Sequence, residues 1–300
     1  MLAAVIRDGR IEVEERPDPV PGPDEILIRV HAAGGTGADI GQRAGRYPPP
    51  PGVTDVPGLE CAGESEDGER VMALLSGGGQ AELAVAHRAH VLRVPEHLGW
   101  EEAGGFVEVF ATAHDALFAQ AQLREGERLL VNGAAGGVGV AAIQLAKLAG
   151  ATVVATASSE EKRAYARDSG ADDVRDYAEI DGLRVDVVID PVGGDVFTKS
   201  LPLLNPLGTI VAIGFAGGLW QDPSVQWLVG RNAAVVGLYL GRLMKLRPDL
   251  VRSRAERLLE LWRGGAIDPP VGAAFPLADA RDAHALIEAR KHMGKVVLEP

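Results

Sequence analysis

Apolar residues recur in three different rhythms along the chain. From residue 2 to about residue 95 they come in short runs, LAAVI, IEVEE, EILIRVHAAG, ERVMALL, AELAVA and HVLRVP, cut by Gly and Pro. Helical periodicity is nearly absent there, which predicts a small β-rich domain with irregular connections. The stretch 17–24, PDPVPGPD, is expected to be a loop because proline cannot donate to a strand ladder. Near Trp100 the rhythm lengthens, and 101–118 reads as one or two helices. Strand-like and helix-like segments then alternate, with strands expected at 128–133, 152–157, 172–175, 185–190, 208–213 and 233–239. Helices are expected between the earlier ones, at 138–149, 159–169 and 194–204. Six strands alternating with helices is the content of a doubly wound parallel sheet. After Gly241 the pattern changes again, to an amphipathic helix over 248–263, a Gly/Pro break over 264–270, a helix over 277–291 and a strand over 295–299. So late a strand makes sense if the carboxyl end returns to the first, β-rich domain, with the alternating unit inserted in it.

Composition narrows the class. With 46% apolar and 24% charged residues the chain is globular, and no apolar run approaches the roughly 20 residues of a membrane span. The amino terminus carries acids straight after its short apolar run and shows neither a basic region nor a small-residue cleavage site, so no signal peptide is expected and the cytoplasm is the default. A net charge of −12 disfavours a nucleic-acid partner. Cys61 is the single cysteine, which excludes an internal disulfide and any zinc cage built on several thiolates. No two of the seven histidines have His-x-x-x-His spacing.

The stretch 128–157, RLLVNGAAGGVGVAAIQLAKLAGATVVATA, organises the rest. A strand runs into Gly133-Ala134-Ala135-Gly136-Gly137-Val138-Gly139, then into a helix that ends at Gly150, then into a second strand. That unit gathers backbone N–H groups and the positive end of a helix dipole at one point, where a pyrophosphate can sit. The turn, Ala134-x-Gly136-x-x-Gly139, departs from the dinucleotide fingerprint G-x-G-x-x-G only by Ala for the first Gly; a plain structural turn is the alternative. NAD enzymes place an acid on the ribose about 20 residues further on. Here the strand tip is Thr156-Ala157-Ser158-Ser159 with no carboxylate, followed by Lys162 and Arg163. Hydroxyls and a cation suit a 2′-phosphate, which predicts NADPH rather than NADH. Ser158 or Ser159 can also cap the following helix.

These motifs, together with RVHAAGGTGADIGQRAGRYPPP, VPGLECAG, SGGGQAELAVA, FATAHDAL, VDVVIDPVGGDVF, LNPLGTIVAIGFAGG and the terminal GKVVLEP, resemble the zinc-independent quinone oxidoreductase branch of the medium-chain dehydrogenase/reductase superfamily, and within it the p53-inducible quinone oxidoreductase type. The resemblance implies an α/β fold, a Rossmann doubly wound parallel sheet over 106–245 inserted in a GroES-like β-rich catalytic domain of 1–105 and 246–300. It also implies NADPH in the cleft between them and a homodimer, to which the apolar run 233–240 adds a strand edge that could pair across a two-fold. Carried over on the motifs, Gly136, Gly137 and Val138 resemble the pyrophosphate turn, and Ser158, Ser159, Lys162 and Tyr177 the 2′-phosphate pocket. Gly214, Phe215 and Ala216 resemble the nicotinamide wall, with Thr112, Leu238, Tyr239, Leu240 and Lys295 as further cofactor contacts. Tyr177 read alone could equally be a surface tyrosine, and Lys295 could simply be solvated. The three catalytic zinc positions of metal-dependent members fall at Thr36, Leu59 and Glu108, a poor donor set because Leu cannot ligate.

Without a metal, hydride transfer to a quinone or an α,β-unsaturated carbonyl rests on close approach, with a positioned hydroxyl polarising the acceptor oxygen. The candidates are Tyr47, before the run Pro48–Pro51, and Thr36, a position commonly Asn in the branch. Tyr47 could instead pack on its own prolines. Asp39 reads as a structural hydrogen-bond acceptor, the role of Glu108 is open, and the segment 63–70, GESEDGER, is shorter than the family usually shows. The expected function is a zinc-independent, NADPH-dependent reductase of quinones or related enones, acting on small molecules without a nucleic-acid or membrane partner. The alternatives are an enoyl-thioester or alkenal reductase on the same fold, against which stands the lack of a marked basic patch, and a non-catalytic NADPH-binding or RNA-associated protein.

Overall fold

Asp8 and Gly9, both at positive φ (48° and 73°), turn the amino terminus into an antiparallel hairpin of β1 (Leu2–Arg7) and β2 (Arg10–Glu15), as an Asp-Gly two-residue loop favours. The computed structural model describes residues 1–300 and divides into two units, Met1–Ala111 with Gly241–Pro300, and Thr112–Leu240.

The first unit continues through β3 (Glu25–Gly35), β4 (Glu60–Ser65), β5 (Arg70–Leu74), β6 (Leu83–His87) and β7 (Val91–Arg93). The proline-rich segment before β3 is a loop, as its composition requires. Two elements of this first segment escaped the sequence pattern. β4 (ECAGES) has no alternation because it is buried on both faces, with Cys61 and Ala62 fully covered. The helix Gly37–Arg43 is too short to show a period; its signal is local, a capping box in which the Thr36 hydroxyl accepts from Ala38 N–H and the Asp39 carboxylate takes Thr36 N–H. The segment 63–70 closes as a tight β4–β5 hairpin, with Gly68 donating to Ser65 O and Ser65 to Glu69 O.

The second unit holds β8 (Arg128–Val131), β9 (Thr152–Thr156), β10 (Asp173–Arg175), β11 (Val185–Asp190), β12 (Leu204–Ala212) and β13 (Ala234–Gly237). All neighbours pair in parallel, in the order β10-β9-β8-β11-β12-β13. That order is the Rossmann doubly wound sheet, whose strand order reverses between β8 and β11. The helices Gly137–Leu148, Glu160–Asp168, Gly194–Ser200 and Val225–Arg231 supply the crossovers after β8, β9, β11 and β12. Leu130, Val154, Val188, Phe197 and Ile210 meet in its core.

The chain then re-enters the first unit. A helix Leu240–Leu246, not visible in the pattern, precedes Pro248–Arg263, whose proline stands in the first turn where its missing N–H costs nothing. The latter buries Val251, Ala255, Leu258, Leu259 and Trp262, and the Trp262 ring stacks on Phe106 at 4.7 Å. The segment after it holds a strand the sequence pattern missed, β14 (Val271–Pro276), which lies against β15 (Lys295–Glu299) in parallel. Of the helix expected over 277–291, residues Ala280–Glu288 are α-helical; a 3₁₀ turn precedes them and Arg290, at φ 53°, ends the run. β15 pairs antiparallel with β3, Val297 opposite Gly34, so the terminal strand completes the first sheet, in the order β14-β15-β3-β4-β5-β7 with β6 also on β3.

Candidate functional site

At the end of β8 the chain passes through buried Asn132 into Gly133, which takes the left-handed conformation (φ 61°). Gly133, not Ala134, is therefore the tight-turn glycine, and this is why alanine is tolerated where the fingerprint has its first Gly. Gly136 caps the helix Gly137–Leu148 without a side chain, and the first-turn amides of Gly137, Val138 and Gly139 lack a partner four residues back. A Cβ on Gly139 would stand 2.5 Å from Gly133 O and 2.7 Å from Ala134 Cα, so only glycine lets the helix approach the strand end this closely. The result is a bare set of N–H donors at a helix dipole, built to hold an anionic group.

Beside it, the tip of β9 carries Thr156, Ala157, Ser158 and Ser159 without an acid. Ser159 is the helix cap, its hydroxyl accepting from Lys162 N–H at 3.3 Å; Ser158 is exposed and Lys162 half-buried. Arg163 is committed elsewhere, bound to Glu160 and, at 3.0 Å, to Asp176. Glu160, also held by Arg167, stays below the usual carboxylate range because of the Arg167 and Arg163 hydrogen bonds. Tyr177, on the turn after β10, is no free surface tyrosine: its hydroxyl accepts the Gly133 N–H at 3.1 Å.

The third wall of this unit is the continuation of β12. Gly214 donates to Asp190 O (3.4 Å), Ala216 to Pro191 O (3.4 Å) and Gly217 to Val192 O (2.6 Å), and the Phe215 ring meets Trp220 edge to face at 5.5 Å. Leu238 donates to Ala212 O; Leu238 and Leu240 are buried while Tyr239 is 46% exposed. Thr112 is buried on the helix Val107–His114. Sequence reasoning missed Asn132 and Asp190. The Asn132 amide donates to Asp190 at 3.4 Å and Ser200 at 2.9 Å and accepts from Thr156 at 2.9 Å, across the point where the strand order reverses.

In the first unit, Thr36 caps its helix and its hydroxyl proton goes to Asp39 at 3.1 Å. Asp39 is fully buried; it accepts Thr36 and Gly58 amides, which only partly offset the rise that burial imposes on its pKa. Tyr47 is half-buried where the chain leaves this helix, its amide on Gly41 O at 3.1 Å. The solvated reading of Lys295 is overturned: the residue is 3% exposed and its ammonium pairs with fully buried Glu60 at 2.7 Å. Burial alone would lower the Lys295 pKa, but Glu60, Glu108 and Asp39 outweigh that and hold it above its ordinary value. The other Glu60 oxygen accepts the Glu108 N–H at 2.9 Å.

Similarity to known proteins agrees with this architecture. Residues 22–122 match the alcohol dehydrogenase GroES-like domain and residues 164–298 a family described as zinc-binding dehydrogenase. The mouse synaptic vesicle membrane protein VAT-1 homolog is 32% identical, over 97% of this chain and 80% of that protein. Bovine quinone oxidoreductase-like protein 2 is 32% identical over 99% and 91%. The quinone oxidoreductase of Thermus thermophilus, solved also in complex with NADPH, superposes with a TM-score of 0.90 at 37% identity over 100% of both chains. A catalytic zinc does not fit the residues present at the corresponding positions: Thr36 is a helix cap, Leu59 has no donor atom, and one carboxylate at Glu108 is left.

Proposed function

Because the chain belongs to the zinc-independent quinone oxidoreductase branch of the medium-chain dehydrogenase/reductase superfamily, we propose that it is an NADPH-dependent reductase of quinones or related α,β-unsaturated carbonyl compounds. The observation that carries the cofactor is the acid-free tip of β9 beside a glycine turn whose first amide is fixed by Tyr177. The Thermus relative, solved with NADPH, supports it.

In this reading the turn Gly136–Val138 holds the pyrophosphate through the amides of Gly137 and Val138, the Gly136 amide bracing the turn on Gly133 O at 3.0 Å, and Ser158, Ser159, Lys162 and Tyr177 receive the 2′-phosphate. The Gly214–Ala216 backbone, with Thr112, Leu238, Tyr239 and Leu240, orients the nicotinamide. Bound NADPH supplies the hydride. The acceptor oxygen gains negative charge as the transfer proceeds, and a hydroxyl placed beside it stabilises that charge and can return a proton. Tyr47 is the better donor of the two candidates, because a phenol hydroxyl is far more acidic than the alcohol of Thr36. Lys295 enters as the partner of Glu60 rather than as a cofactor contact.

The reading includes a homodimer in the cytoplasm. β13 is paired on one side only, and the adjoining helix Val225–Arg231 buries no residue, leaving Val225 and Val229 each 72% exposed; an open edge of this kind suits a second copy. No helix is long and apolar enough to cross a membrane, and the lone, buried Cys61 forms no disulfide within the chain. Light scattering tests the dimer. Steady-state NADPH oxidation against quinones, enals and enoyl thioesters tests the activity: turnover highest with a quinone or enone is expected. A preference for enoyl thioesters, or tight NADPH binding without turnover of any acceptor, would overturn it.

A further inference from the structure

The Gly214–Gly218 segment has no side-chain anchor of its own at its start; it hangs by its backbone on the turn 190–193. Four amides make the attachment, those of Ile213 and Gly214 on Asp190 O, Ala216 on Pro191 O and Gly217 on Val192 O. The turn needs a support in its own right, because Gly193 and Gly194 both sit at positive φ (69° and 55°) and a side chain on Gly193 would overlap Gly218 O. The Asp190 carboxylate is that support. It accepts Val192 N–H at 3.1 Å and Gly193 N–H at 3.1 and 3.3 Å, and it is braced from β8 by the Asn132 amide. Asn132 is in turn fixed by Thr156 of β9 and Ser200 of the helix Gly194–Ser200.

We infer that Asp190 is a positioning residue for cofactor binding, its carboxylate setting the 190–193 turn and, through that turn, the segment that orients the nicotinamide. The inference rests on the assignment of Gly214–Ala216 to that role. A carboxylate receiving two backbone amides and a side-chain amide loses acceptor capacity when protonated, and the charge-assisted bonds to the turn weaken. Burial pushes this carboxyl up to about 6, against the opposing hydrogen bonds of Val192, Gly193 and Asn132. The groups bonded to it are the Asn132 amide and the amides of Val192 and Gly193, and Asn132 in turn meets Thr156 and Ser200; all are uncharged, and no ionised side chain contributes to its shift.

The test uses the whole protein and its Asp190→Asn variant between about pH 7.5 and about pH 5. Dissociation constants are measured for NADPH and for NADH, since the 2′-phosphate itself titrates near pH 6 and NADH lacks it. Amide exchange at Gly193 and Gly217 is measured without cofactor. For the wild type, both dissociation constants should rise roughly three- to tenfold on acidification, with loss of protection at both glycines. In Asp190→Asn both constants should be raised, that for NADH flat and that for NADPH changing only with the charge of its 2′-phosphate, and protection already low at the higher pH. A variant whose NADH profile follows that of the wild type, or glycine amides indifferent to pH and substitution, would overturn the inference. If the variant does not fold, the wild-type NADH profile decides, a flat one being fatal. Binding of neither cofactor at about pH 7.5 would overturn the proposed function itself, whereas normal binding with a flat NADH profile would overturn this inference alone.

Discussion

The hydroxyl of Tyr177 accepts the amide proton of Gly133, a residue 44 positions upstream, at 3.1 Å. The bond ties the turn after the third parallel strand to the left-handed residue that opens the glycine turn. It links the two halves of the proposed cofactor pocket, phosphate turn and ribose edge, through one oxygen. Tyr177→Phe should therefore raise KM for NADPH by roughly three- to tenfold, the worth of one hydrogen bond at a preorganised site, with kcat changed less. Steady-state kinetics at saturating acceptor check it; an unchanged KM would make the bond structural only.

Lys162 separates the two cofactors. Its amide is capped by Ser159, which fixes the Lys162 backbone in the first turn of the helix that follows the β9 tip. Lys162→Ala should raise KM for NADPH and leave that for NADH nearly unchanged, because only NADPH has the 2′-phosphate. Equal effects on both cofactors would remove Lys162 from the phosphate site.

The parallel unit is legible because its strands are continuous apolar runs and its turns are marked by glycine, whereas the order of its strands comes from the structure. What could not be read were elements whose signal is not periodic. β4 is buried on both faces and rich in small residues; the helix Gly37–Arg43 spans fewer than two full turns of apolar spacing and is announced only by Thr36 and Asp39. Long-range polar contacts were invisible for a different reason. Nothing near Lys295 in sequence reveals that Glu60 waits for it in the interior, and nothing near Asn132 reveals Asp190. Pattern places elements, but a partner across the fold is fixed by packing.

The Lys295–Glu60 pair is almost wholly removed from water, so removing one partner strands a charge. Lys295→Met should cost about 3–5 kcal/mol of stability, while a combined Lys295→Met and Glu60→Leu change should recover much of it. Urea unfolding of the single and double variants measures both. A double variant as unstable as the single one would show that the loss comes from packing rather than from the unpaired carboxylate.

Tyr47 bears on chemistry. If its hydroxyl polarises the acceptor, Tyr47→Phe should lower kcat by about 10²-fold or more, the usual range for a positioned acid, and leave the dissociation constant for NADPH alone. Unchanged turnover would reduce Tyr47 to a residue packed on its prolines.

His284 gives the fold a pH dependence of known sign. It is 1% exposed and its Nε2 meets Gln80 Oε1 at 2.8 Å, a contact in which an Nε2–H donates to the amide oxygen. Burial, and then the Arg43 charge, push its pKa down to about 4, with Glu288 opposing. In the unfolded chain a histidine titrates near 6.5, so between about pH 6.5 and about pH 4 the unfolded state binds the extra proton. The contribution is therefore fully present above the unfolded value and is lost as pH falls through the folded one, about 3 kcal/mol in all. Asp190, whose raised pKa works in the opposite sense, is common to wild type and variant, so the difference between their stability curves isolates His284. Wild type should lose stability relative to His284→Asn across that window and run parallel to it above about pH 7. Parallel curves throughout would mean that His284 titrates in the folded protein as it does in water.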